Sequence, residues 1–187
     1  FLIDYLKKNP EKFADYEEME NSTGIIYALW RNTSLKEIDG KTPNQFFSDM
    51  ATEELLTLAE QYIKNNIGLP MILTDAIEEA KDEEALLKKL KITDEDELKF
   101  IIVNSIKSDI AVDYAINEIF TSKDEEFKNL LAEYLSDNKP EVVNKLIDSY
   151  KKYKSDEDIV MDILTSYEVN PKTTQLLKDF ILEGKNL

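Results

Sequence analysis

One amphipathic hairpin pattern, written three times between Asp94 and Leu187, constrains this chain more than any other feature. Three acidic openings, Asp94-Glu-Asp-Glu97, Asp124-Glu-Glu126 and Asp156-Glu-Asp158, each lead into apolar residues at helical spacing. The stripes are Leu98, Ile101, Ile102 and Ile106, then Phe127, Leu130, Leu131 and Tyr134, then Val160, Ile163, Leu164 and Tyr167. All closely follow the i, i+3, i+4, i+7 rule of a helix that buries one face, with Ile106 at i+8. After a short polar break come the partner stripes: Val112, Ala115, Ile116 and Ile119; Val143, Leu146, Ile147 and Tyr150; Thr173, Leu176, Leu177 and Phe180.

The openings at Thr93, Ser122 and Ser155 stand 29 and 33 residues apart (122 − 93 and 155 − 122), a period typical of helical-repeat arrays. A Ser or Thr oxygen accepts from the exposed N–H three residues on, so Thr93 with Asp96, Ser122 with Glu125 and Ser155 with Asp158 are expected to cap their helices. Acids at these starts also suit the helix dipole, which explains them without any ligand.

Further upstream the punctuation is clear. Asn9-Pro10 closes a first short helix carrying Ile3 and Leu6, and Pro10 is expected to open a second with Phe13, Tyr16 and Met19. Ile25, Ile26, Leu29 and Trp30 read as a compact helix with Trp30 in the core; its neighbour Arg31, the one arginine, suggests an aromatic–cation spot as the alternative. Asp39-Gly40 signals a turn, and Thr42, Pro43 and Gln45 write a complete capping box. Thr52 starts a longer helix with Leu55, Leu58, Ala59, Tyr62 and Ile63 inward, Gly68 is expected to stop it in a left-handed conformation, and Pro70 opens the next, with Ile72, Leu73, Ala76, Ile77 and Ala80 inward. Leu86, Leu87 and Leu90 mark a short helix within Asp82–Lys91.

The hairpin period, with Pro140 and Asn170-Pro171 starting second helices, resembles that of the HEAT-like and armadillo-like repeat families. The resemblance covers Asp94–Leu187 well and Thr52–Lys81 loosely, and it rests on pattern; the tetratricopeptide consensus is absent. It implies an all-α fold, a right-handed α–α superhelix (α-solenoid) of stacked antiparallel hairpins whose concave face binds a protein or peptide. We read 1–187 as a single all-helical domain, with irregular helices over 1–51 and hairpin repeats over 52–187. A boundary within Asp82–Lys91 is the alternative.

The residue inventory narrows the chemistry. With no Cys and no His, the chain offers no disulfide, no thiol nucleophile, no zinc site built on those ligands and no imidazole acid–base group. No catalytic residue, cofactor or metal site is expected: the acidic opening at Asp94 lacks the central Gly of a calcium loop, and Gly40-Lys41-Thr42 lacks the upstream Gly and strand of a phosphate loop. The acid pairs Glu17-Glu18, Glu53-Glu54 and Glu78-Glu79 and the cluster Asp82-Glu83-Glu84 sit at solvated helix positions with no apolar surroundings to raise a pKa. Asn104, Asn117, Asn144 and Asp162, close to the stripes, are read as groove-lining or backbone-satisfying residues.

A net charge of −16 disfavours nucleic acid and anionic membrane as partners. The longest apolar run, Gly24 to Trp30, is far shorter than the roughly 18–20 residues of a membrane span. Absence of Cys fits a reducing, cytoplasmic compartment, and a start at Phe1 in place of Met fits a trimmed or internal segment of a longer protein. The expected activity is non-enzymatic: an acidic surface that binds a protein or peptide, basic or amphipathic, with Tyr114, Tyr134, Tyr150, Tyr153 and Tyr167 as the pool of contact residues. The alternatives are a carboxylate- or metal-dependent enzyme and an oligomerisation module, and the plainest account of the charge is solubility alone.

Overall fold

The computed structural model describes residues 1–9, 12, 15–136, 140–167 and 178. Regular structure among these is helical, with no strand: α1 (Leu2–Lys8), α2 (Tyr16–Asn21), α3 (Thr23–Arg31), α4 (Pro43–Ser48), α5 (Thr52–Lys64), α6 (Met71–Glu78), α7 (Glu83–Leu90), α8 (Asp96–Ser105), α9 (Ile110–Thr121), α10 (Glu125–Ser136), α11 (Pro140–Tyr153) and α12 (Glu157–Ser166). Two compact units divide the chain, Phe1–Glu79 and Ala80–Leu187. The hairpin α5–α6, which the sequence groups with the later repeats, falls in the first. Pro10 and Phe13, and the last partner stripe Thr173, Leu176, Leu177 and Phe180 with its cap Asn170-Pro171, lie outside the described residues.

In the first unit the best-written signal forms as spelled. Asp39 and Gly40 take positive φ (56° and 78°), and the chain turns into α4. There Thr42 Oγ1 accepts from the Gln45 N–H at 3.2 Å, and Gln45 Oε1 accepts from the Thr42 N–H at 3.0 Å. Both bonds satisfy amides that a helix start would otherwise leave to water. Thr42→Ala is therefore expected to lower the stability of the full chain by about 1 kcal/mol, read from its urea midpoint, whereas Thr42→Ser should lie close to wild type.

The end of α5 differs from expectation. The left-handed residue is Asn66 (φ 54°), and Gly68 keeps an ordinary negative φ. The Ile67 N–H reaches the Tyr62 carbonyl and the Asn66 N–H the Ile63 carbonyl, both at 2.9 Å, which is the double bond of a Schellman stop. Asn tolerates the left-handed region, so the stop comes two residues earlier than the glycine. Leu55, Leu56 and Ala59 are buried on α5 and Ile72, Leu73 and Ile77 on α6, while Leu58, Tyr62, Ile63 and Ala76 are half-buried.

Helix α3 is only partly the core helix its composition suggests. Ile26 is buried, but Ile25 is 67% and Leu29 43% exposed, and Trp30 is half-buried. Tyr27 and Arg31 explain the rotation. The Tyr27 hydroxyl accepts from the Ile72 N–H at the start of α6, and Arg31 binds Asp75 on α6 and Asn44 on α4, each at 2.8 Å. With positions 27 and 31 turned inward, positions 25 and 29 face outward. Arg31 stacks over Tyr27, not Trp30, so the aromatic–cation pair is internal to the unit.

In the second unit the stripes become the core. Leu98, Ile102, Ile106, Val112, Ala115, Ile116 and Ile119 are buried, as are Phe127, Leu131, Tyr134, Val143, Leu146, Ile147, Val160, Ile163, Leu164 and Tyr167. Ile101, Leu130 and Tyr150 are half-buried, and Leu86 and Leu90 bury the inner side of α7. Helix α10 packs against α8, α9 and α12; α9 also packs against α8 and α11; α7 covers α8.

None of the three expected Ser/Thr caps forms as read. Thr93 is buried, 5% exposed, and accepts from the N–H of Glu95, the residue just before the helix, at 3.3 Å. Ser122 accepts from the Asp124 N–H, and it is Asp124 that caps α10 by accepting from the Phe127 N–H at 2.9 Å. Before α12, Asp156 makes no cap bond at all; its carboxylate is drawn to Lys128. A carboxylate nearer the helix competes better for the free amides than a hydroxyl two residues back, unless a buried cation claims it first.

Candidate functional site

Two lysines show how successive first helices align. Lys99 Nζ, from the first turn of α8, lies 5.3 Å from the centre of the Phe127 ring in the first turn of α10. Lys128 Nζ, one residue after Phe127, lies 2.6 Å from Asp156 Oδ1 at the threshold of α12. Start therefore sits beside start beside start. The three acidic openings, separated by about thirty residues each in the sequence, converge on one end of the unit, where Asp94, Glu97, Asp124, Glu125, Glu126, Glu157 and Asp158 are all exposed.

The last turns of α9 and α11 join the same end. Phe120 and Tyr153 stack with ring centres 5.1 Å apart and planes 9° from parallel, and Tyr153 remains 36% exposed. Tyr150, one turn back, is half-buried; burial and the neighbouring Glu157 carboxylate raise its pKa.

A second polar group lies between α8 and α9. Tyr114 and Glu118, four residues apart and so on one helix face, approach Asp96 and Lys99. Burial, then the charges of Glu118 and Asp96, push the Tyr114 pKa up. Burial also raises that of Glu118; Lys99 opposes the shift and Asp96 adds to it. Lys99 gives its short bond to Asp96, at 2.6 Å, and acts on Glu118 through its charge. Burial and the negative neighbours thus both favour the protonated forms of these two groups.

The five tyrosines divide accordingly. Tyr134 and Tyr167 are core side chains, 8% and 4% exposed, and the Tyr167 hydroxyl donates to the Leu135 carbonyl. Tyr150 and Tyr153 stand together at the acidic end, and Tyr114 belongs to the Glu118 group. Asn104 bonds its own helix through the Phe100 carbonyl at 2.9 Å, Asn117 contacts Thr121, and Asn144 and Asp162 are exposed. Sequence reading missed Glu118, Lys99 and Lys128. A signal for the lysines exists: Asp96-x-x-Lys99 and Glu125-x-x-Lys128 repeat the same spacing at the same place in two hairpins.

Among the described residues no group of three or more acids is placed to hold a metal ion, and no helix is long and apolar enough to cross a membrane. No protein-family model matches the chain, and neither the curated proteins nor the solved structures contain a significant match.

Proposed function

We propose that the second unit is a short α-solenoid, of the HEAT-like or armadillo-like kind, whose acidic end binds a basic segment of a partner protein without catalysis. The packing of first helix on first helix (α8, α10, α12) and of second on second (α9, α11) supports the solenoid reading. The observation that carries the binding reading is the convergence of three exposed acidic helix starts with the Phe120–Tyr153 stack. Carboxylates supply attraction and speed of encounter, and the exposed Tyr153 ring, over which Lys152 already lies at 4.6 Å, is a surface that accepts a cation.

The test is calorimetric titration of the full chain with a Lys/Arg-rich peptide at low and at physiological salt. Binding is expected to weaken as salt rises. Replacing Glu125, Glu126 and Glu157 with Gln and Asp158 with Asn should weaken it further, on the order of tenfold, through loss of charge attraction. Equal affinity in the wild type and in this variant would refute the assignment to this end of the unit.

A further inference from the structure

Lys99 and Lys128 occupy equivalent places in consecutive hairpins. Each stands one residue after the first buried residue of its helix, Leu98 or Phe127, and each is tied to an acid one turn earlier, Asp96 at 2.6 Å or Glu125 at 3.0 Å. Each then reaches forward to the start of the next first helix. What they meet there differs. Lys99 lies over a phenyl ring, whereas Lys128 meets the Asp156 carboxylate, with side chains only 7% and 14% exposed.

The turn that carries Asp156 has little preference of its own for this shape. Lys154 and Asp156 both hold positive φ, 52° and 56°, a region that side chains other than glycine disfavour. Asp156 does not cap α12, so its ionic bond to Lys128 is the main tie that its side chain makes. Without the ammonium, a desolvated carboxylate would remain with no cation beside it. Without Lys99, by contrast, the start of α10 would keep only a ring, which needs no partner, and the Asp96 carboxylate on α8 itself, 32% exposed, could turn to water.

We propose that Lys128 is a charge-dependent latch: its ammonium decides whether α12 stays docked on α10, so that this junction opens while α8, α9 and α10 remain packed. Opening withdraws Val160, Ile163 and Leu164 from the core and breaks the bond from the Tyr167 hydroxyl to the Leu135 carbonyl. It also carries Glu157 and Asp158 away from the acidic end. The latch requires no ligand at that end.

Hydrogen–deuterium exchange on the full chain tests it, region by region. In Lys128→Met, amides of α12 are expected to exchange at least about tenfold faster while those of α8 and α9 keep wild-type rates. In Lys99→Met, α10 and α12 should both stay protected. Should Lys128→Met fail to fold, Lys128→Gln removes the ammonium charge while keeping a polar side chain of similar reach, and is expected to give the same pattern. Unchanged α12 protection in the variant that folds, or a loss spread evenly from α8 to α12, would overturn the latch.

Discussion

Phe127→Ala is expected to destabilise the second unit by about 3–5 kcal/mol, the usual cost of truncating a buried aromatic residue. Phe127 is 1% exposed and begins the stripe of α10, the helix that touches α8, α9 and α12. Its ring also receives the Lys99 ammonium at 5.3 Å. Truncation thus opens a cavity at the junction of two hairpins and removes the face that this ammonium covers. Leu130→Ala, three residues on and half-buried, should cost clearly less. Urea unfolding followed by far-ultraviolet circular dichroism measures both; a similar small loss in the two variants would mean that this junction is not the core of the unit.

The second large effect is an asymmetry at the buried ion pair. Removing the cation, in Lys128→Met, is expected to cost about 3–5 kcal/mol, because the Asp156 carboxylate stays desolvated and unpaired; Asp156→Leu should cost less, since Lys128 keeps Glu125 at 3.0 Å. Removing both, in Lys128→Met with Asp156→Leu, should restore most of that loss. A double-mutant cycle on the same unfolding curves gives the coupling. Strictly additive losses would show that the two charges do not depend on one another.

The pair also has a defined pH window. Burial opposes ionisation of Asp156, but the hydrogen bonds from Lys128 and Ser155 and the lysine charge outweigh it, and the folded pKa lies below the ordinary 3.8. Its contribution is therefore complete above that value and lost as pH falls through the depressed one. The bond to Asp156 raises the Lys128 pKa above 10.5; burial opposes this and Glu125 adds to it. That contribution is complete below 10.5 and lost as pH rises through the raised value. Across the neutral range the pair should thus contribute evenly. The difference in stability between wild type and the double variant, measured from about pH 5 to 9, is expected to be flat.

How much of this was legible beforehand depends on the range of the interaction. The Thr42–Gln45 box formed as spelled because all its atoms lie within one turn. The stripes from Leu98 to Tyr167 went inward because apolar residues repeating on one helix face have few other places to go. Two signals failed where a second candidate stood nearby: Asp124 displaced Ser122 as the cap of α10, and Asn66 displaced Gly68 as the stop of α5. Local rules rank such competitors poorly, since the outcome turns on where the neighbouring helix lies.

The sequence by itself determined the helical class, the positions of most helices and the identity of the buried stripes in the second unit, since periodicity and turn chemistry act over a few residues. Only the tertiary structure decided that three acidic openings share one end, that Tyr134 and Tyr167 are core while Tyr153 is not, and that Asp156 answers to Lys128 and not to its own helix. Those outcomes depend on distances between residues some thirty positions apart. Such distances are fixed by how helices pack against one another, which no local pattern records.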